Sequence, residues 1–142
     1  MQPMSDERRR AFLLDGTRTG HLATTRTDGS PHVAPVWFVL DGDDPVFMTG
    51  ADTVKGRNLS RDPRAQLSVD DPHLPYAFVT VAGRVELSQD EDERLRWSFE
   101  IARRYVPADQ VEAFARRNAV PGEFLVRLRA ERFVAVDDLA GW

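Results

Sequence analysis

Seven consecutive residues, Thr53-Val54-Lys55-Gly56-Arg57-Asn58-Leu59, bring together four kinds of polar group: an ammonium, a guanidinium, a carboxamide and a hydroxyl. Such a set suits an oxyanion, because Lys and Arg supply charge-assisted donors and the start of a helix supplies free N–H groups and a positive dipole end. Lys55 and Arg57 both fall in the first turn of a predicted helix, where cations oppose the macrodipole. A bound phosphate relieves that conflict. The segment reads equally as a solvated surface turn in which Arg61 pairs with Asp62 or Asp70. Leu59 is read as a core residue, and Asn58 either as a bridge between loops or as a ligand contact. Lys55 also stands apart in the composition: among 19 basic residues it is the one lysine, the remaining 18 being arginine. A GC-rich genome accounts for the arginine bias. A site that requires a compact, flexible ammonium accounts for the retained lysine.

The second feature is the run Pro31-His32-Val33-Ala34-Pro35-Val36-Trp37-Phe38-Val39. Pro35 cannot donate to a sheet ladder, which places it at an edge or a bulge. An irregular strand leaves backbone groups that a planar ring can approach. Trp37 and Phe38 point to opposite faces, one to the core and the other to a pocket or a dimer contact. His32, next to a turn, reads as an exposed strand residue rather than a catalytic group. His21, His32 and His73 lie on separate segments without metal-ligand spacing, so no zinc site is expected. There is no G-x-G-x-x-G and no G-x-S-x-G, and in Gly50–Gly56 the Lys and Gly stand in the wrong order for a P-loop. No catalytic side chain is assigned.

The elements that must position these groups follow from periodicity and turn chemistry. Ser5 to Leu14 reads as a short helix with Ser5 as cap and Ala11, Phe12 and Leu14 packed inward. Gly20–Thr25 is a strand, Thr27-Asp28-Gly29-Ser30 a hairpin turn, Pro31–Leu40 a second, long strand, and Pro45–Thr49 a third. Val54–Arg61 makes about two helical turns, capped by Asp52 or Thr53 and stopped by Asp62-Pro63. Strands are expected over Arg64–Asp70 and Tyr76–Leu87, with Gly83 marking a bulge or barrel corner. Asp90–Val106 shows a wide apolar stripe of a helix, including Trp97, Ile101 and Tyr105. Pro107 starts a second helix that runs to about Asn118, with Val111, Phe114 and Ala115 inward. Glu123–Leu128 and Arg132–Val136 read as two final strands. The sum is a mainly β (β+α) fold: a six- to seven-stranded antiparallel split β-barrel with Greek-key features, flanked by short helices. A small barrel of this kind is filled by its own side chains, so a ligand must lie outside it or at a subunit interface.

The 142 residues are read as one domain, 1–142. A formal net charge of −4 argues against a dedicated nucleic-acid binder. No apolar run approaches the ~18 residues of a membrane span. Met1–Arg10 is charged with no apolar segment behind it, so no secretory leader is expected. The absence of cysteine excludes disulfides and thiolate chemistry and is compatible with a cytoplasmic location.

Taken in order, Gly20-His21-Leu22-Ala23-Thr24, Asp28-Gly29-Ser30-Pro31-His32-Val33, Pro35-Val36-Trp37-Phe38, Thr49, Lys55-Gly56-Arg57-Asn58-Leu59, Arg61-Asp62-Pro63-Arg64 and Val81-Ala82-Gly83 resemble the pyridoxamine 5′-phosphate oxidase-like split-barrel superfamily, in its branch of F420-dependent oxidoreductases. The likeness covers about residues 5 to 90 closely and the remainder in element order. It implies a homodimer with two cofactor sites at the interface. It implies that the backbone of Val33, Pro35, Val36 and Trp37 runs beside an isoalloxazine-like ring. Met48 and Thr49 at a strand end, with Thr53, Lys55, Arg57 and Asn58, would hold the cofactor phosphate. The Tyr76–Thr80 region and Trp142 are candidates for the partner's contribution. The implied activity is hydride transfer from reduced F420 to a small unsaturated organic substrate. The alternatives are an FMN-binding oxidoreductase of the same fold and a non-catalytic F420 carrier or sensor. Classical pyridoxamine phosphate oxidases differ: they carry an Arg-rich motif where Val36-Trp37-Phe38 stands here, and a longer C-terminal region, so their own activity is not expected.

Overall fold

The computed structural model describes residues 1–141. Its elements in order are β1 (Gln2–Pro3), α1 (Asp6–Leu14), β2 (Gly20–Thr25), β3 (Pro31–Val36), β4 (Val39–Asp41), β5 (Asp44–Gly50), α2 (Val54–Arg61), β6 (Arg64–Asp71), β7 (Ala77–Ser88), α3 (Glu91–Tyr105), α4 (Val111–Asn118) and β8 (Glu123–Asp137), with a 3-10 turn at Ala108–Gln110 before α4. Side-chain oxygens close the open N–H groups at three helix starts: Ser5 accepts from the Arg8 N–H and Thr53 from Gly56, as anticipated, and Asp90 accepts from Glu93.

All strands join one antiparallel sheet in the order β3-β2-β6-β7-β8-β5-β4, with β1 added to the far end of β8. Its two edges, β3 and β4, are neighbours in sequence. Only Trp37 and Phe38 separate them, and so short a link spans at most about 10 Å. The sheet therefore has to roll until its edges almost meet, which makes a barrel split along one line. The long strand expected over Pro31–Leu40 is thus two strands, broken where the chain crosses from one edge to the other.

Inside the roll lie Phe12, Leu13, Leu22, Phe38, Phe47, Leu67, Val79, Val81 and Leu128, all essentially fully buried. On α1 the buried apolar pair is Phe12 and Leu13, whereas Ala11 and Leu14 face solvent. On α3 the buried set is Arg94, Trp97, Ser98, Ile101 and Ala102, so two polar residues stand where the apolar stripe was expected to continue.

The C-terminal pair of strands is also different. Glu123–Asp137 is one strand of 15 residues, paired with β7 along its length. The apparent gap between the two expected strands is a bulge: Ala82 faces Arg132 but Gly83 faces Ala130, leaving Glu131 unmatched. Gly83 sits at this corner as anticipated. A Cβ there would lie 1.9 Å from the Arg129 carbonyl oxygen, an overlap that only a backbone shift relieves. Gly83→Ala is expected to lower unfolding free energy by about 1–3 kcal/mol, the usual cost of overpacking, read from the urea midpoint at unchanged m-value.

Candidate functional site

Breaking β3 from β4 leaves the backbone of Phe38 outside any sheet ladder, and α3 takes over its hydrogen bonds. The Tyr105 hydroxyl accepts the Phe38 N–H at 3.2 Å and donates to the Arg18 carbonyl at 2.7 Å. The Arg104 guanidinium donates to the carbonyls of Phe38 (2.7 Å), Leu13 (2.7 Å) and Gly16 (3.0 Å). With Phe38 turned into the core, Trp37 turns out and stacks on Tyr105, ring centroids 4.8 Å apart and planes 1° from parallel. Phe114 of α4 tilts against the same indole at 5.6 Å.

A pocket of about 370 Å³ opens beside this seam. One wall is Pro35, Val36 and Trp37; α3 and α4 supply Ser98, Ile101, Phe114 and Asn118; Met48, Lys55 and Glu123 complete it. Its size lies within the range of small-ligand sites. The apolar surface is concentrated on the aromatic side, and the charged groups at the end of β5 and the start of α2.

The position of Lys55 follows from how α2 begins. The Thr53 hydroxyl donates to the Gly50 carbonyl at 2.7 Å, accepts the Gly56 N–H at 3.1 Å and lies 3.0 Å from the Thr49 hydroxyl. These bonds draw the first turn onto the end of β5. A Cβ on Gly56 would sit 2.1 Å from the Gly50 oxygen, so the helix can start here only with glycine. Lys55 is left at the pocket, and among the described residues its ammonium makes no hydrogen bond or ion pair.

The segment identified from sequence does not face a single pocket. Each helical residue turns about 100°, so residues two apart point to nearly opposite sides. Lys55 faces the pocket of Trp37, whereas Val54, Arg57, Asn58 and Arg61, at spacing i, i+3, i+4, i+7, line a separate pocket with Arg26, Thr27 and Asp28. Of the residues named from sequence, the structure therefore brings Pro35, Val36, Trp37, Met48 and Lys55 together. Thr49 and Thr53 support the loop beneath them. Val33 is 61% exposed on the edge strand and lines neither pocket.

Asn58 is buried and bridges elements, its amide donating to the Thr24 hydroxyl at 3.0 Å. Arg61 bonds to neither Asp62 nor Asp70 as the surface-turn reading expected. It donates to the Thr25 carbonyl and, at 3.4 Å, to Asn58 Oδ1. Asp62 instead binds Arg64 at 2.8 Å, whose guanidinium holds the carboxyl down to about 2. His32 is half-buried, with its Nδ1 enclosed and unpartnered, rather than exposed. Of the regions named for the partner's contribution, Tyr76 is exposed while Thr80 pairs within the sheet; Trp142 lies outside the described residues.

Ser98, Ile101, Phe114, Asn118 and Glu123 were not foreseen as site residues. The first four looked like helix core or helix end, and only the docking of α3 and α4 over the seam turns them toward a ligand. Glu123 carries no motif at all. Burial raises its carboxyl above the usual carboxylate range, partly countered by the charges of Lys55 and Arg94. Burial likewise raises the Tyr105 phenol, opposed by its bond with the Phe38 backbone.

Comparison with known proteins places this geometry. The family model for pyridoxamine 5′-phosphate oxidase matches residues 5–137. No curated protein matches the sequence. A conserved hypothetical protein from Mycobacterium tuberculosis superposes with a TM-score of 0.82 at 26% identity, over 96% of this chain and 87% of its own. A protein described as an F420 reductase is 29% identical, with a TM-score of 0.66 over 87% of this chain and 94% of its own. A heme-binding protein from Mycobacterium smegmatis is 26% identical with a TM-score of 0.75; the match covers 96% of this chain but 55% of that one.

Tyr105→Phe strands the Phe38 N–H in a buried seam and is expected to lower unfolding free energy by about 1–3 kcal/mol, measured by chemical denaturation. For Glu123 the sign is set by the raised pKa that burial causes. The stability its protonated form contributes is complete below the ordinary carboxyl range and is lost as pH rises through the raised value. Glu123→Gln should therefore gain on the wild type as pH rises from about 4 to 7, seen as diverging urea midpoints.

Proposed function

We propose an activity on the basis of family: the chain belongs to the pyridoxamine 5′-phosphate oxidase family, and it acts as an F420-dependent reductase of small unsaturated organic molecules. The observation that carries this reading is the Lys55 ammonium, without a hydrogen bond or ion pair among the described residues, at the polar end of a pocket whose other end is aromatic. A planar, apolar ring bearing a phosphate on a side chain needs that polarity of site. The pocket fits such a group: Trp37, Ile101, Phe114 and Met48 offer a shelf for a ring, and Lys55 a charge for a phosphate. Likeness to a protein described as an F420 reductase supports the deazaflavin over FMN.

When bound, the cofactor supplies the hydride. The protein's share is then positional. Pro35 and Val36 present an edge strand to the ring, the Trp37–Tyr105 stack holds that strand in one place, and Ile101 and Phe114 exclude water from the reacting face. Glu123, kept protonated to higher pH than an exposed carboxyl, is the pocket's acid. Homodimer formation, with the partner covering the exposed Val33 edge and completing each site, belongs to the same proposal.

FMN is the second reading, favoured by membership of a family whose named enzyme is an oxidase. Fluorescence-quenching titrations with F420 and with FMN distinguish the two. A protein that retains FMN also shows flavin absorption bands after purification. Lys55→Ala is expected to weaken binding of the preferred cofactor at least about tenfold, or ~1.4 kcal/mol. Unchanged affinity removes Lys55 from the site, and tight binding of F420 without reduction of any acceptor makes the protein a carrier or sensor.

A further inference from the structure

We propose that α2 carries a second, independent anion site on the face turned away from Lys55, built for a compact oxyanion with two or more charges. The pocket there, about 350 Å³, lies between one face of α2 and the β2–β3 hairpin turn. Three arginines line it, Arg26, Arg57 and Arg61, against the single carboxylate of Asp28. That carboxylate is already engaged by the hairpin, accepting the Ser30 N–H at 3.0 Å and the Ser30 hydroxyl at 2.6 Å. Arg57 makes no hydrogen bond or ion pair among the described residues, and Arg26 meets Asp28 only through space.

The wall is built in advance. Arg61 is fixed by the Thr25 carbonyl and Asn58 Oδ1, and Asn58, 4% exposed, is itself fixed by the Thr24 hydroxyl. Three like charges around one concavity repel each other, and they do so in a chain whose net charge is −4. A multivalent oxyanion removes the repulsion and matches guanidinium geometry, which binds phosphate and carboxylate oxygens in pairs. Diphosphate and polycarboxylate groups share this chemistry. Arg57 and Asn58 also belong to the phosphate grip that the family resemblance implies, but none of the residues here lines the pocket at Lys55, so Lys55→Ala separates the two readings.

Isothermal titration with pyrophosphate and with citrate tests it, on wild type, on the double variant Arg26→Gln/Arg57→Gln and on Lys55→Ala. Arg26 and Arg57 are exposed, and unchanged far-UV dichroism verifies that the double variant is folded. The expected result is one saturable site, weakened at least about tenfold in the double variant and less than about twofold in Lys55→Ala. Affinity should fall as salt rises toward ~0.15 M. Preference for pyrophosphate assigns a phosphorylated ligand, and preference for citrate a carboxylate one; either supports the site. No saturable binding of either probe below about 1 mM, or equal loss in Lys55→Ala, overturns it.

Discussion

The backbone of Phe38 is the point on which the architecture turns. A sheet whose two edges are consecutive strands must break at the link between them, and a broken strand leaves an N–H and a carbonyl without ladder partners. Buried polar groups left in that state cost as much as a lost hydrogen bond or more. Tyr105 and Arg104 remove the cost from the side of α3. The same arrangement buries Phe38, turns Trp37 outward onto Tyr105 and brings α3 and α4 over the split. Barrel closure, the stacked indole and the pocket are thus consequences of one solved hydrogen-bonding problem.

A second constraint acts at the start of α2. Close approach of Gly56 to the Gly50 carbonyl sets the rotation of the helix about its axis, and that rotation decides which side chain faces which pocket. With 3.6 residues per turn, a cationic stretch short enough to look like one motif is divided between two surfaces. Lys55 is delivered to the aromatic pocket at the seam, and Arg57 to the hairpin side.

The arginine bias has structural uses that lysine could not fill equally. Arg9, 6% exposed, lies over the Phe133 ring at 3.6 Å while reaching Asp6 and Asp43. Arg104 contacts three carbonyls from three segments through one planar group. Both tasks rely on a flat, multi-donor cation that stacks and forks. Against that background a lone lysine at the mouth of a pocket is the exception that fits a site asking for a mobile point charge.

The elements of the barrel were legible in the sequence because they rest on local chemistry. Asp28-Gly29 sets the hairpin turn, Ser5 and Thr53 cap their helices, alternation marks β6 and β7, and Gly83 announces its bulge. The polar segment 53–59 was equally visible, since the residue types sit side by side. What tertiary structure decided is how those pieces face one another. The break at Trp37-Phe38 looks like continuous strand because β-branched and aromatic residues flank it, and only barrel closure demands that the chain change edges there. The bulge at Glu131 likewise hides one long strand behind an apparent gap. Glu123, Ser98, Ile101, Phe114 and Asn118 reach the pocket through contacts far apart in sequence, and no local pattern encodes such contacts. Sequence determined which residues could do chemistry; helix rotation and the rolling of the sheet determined which of them share a site.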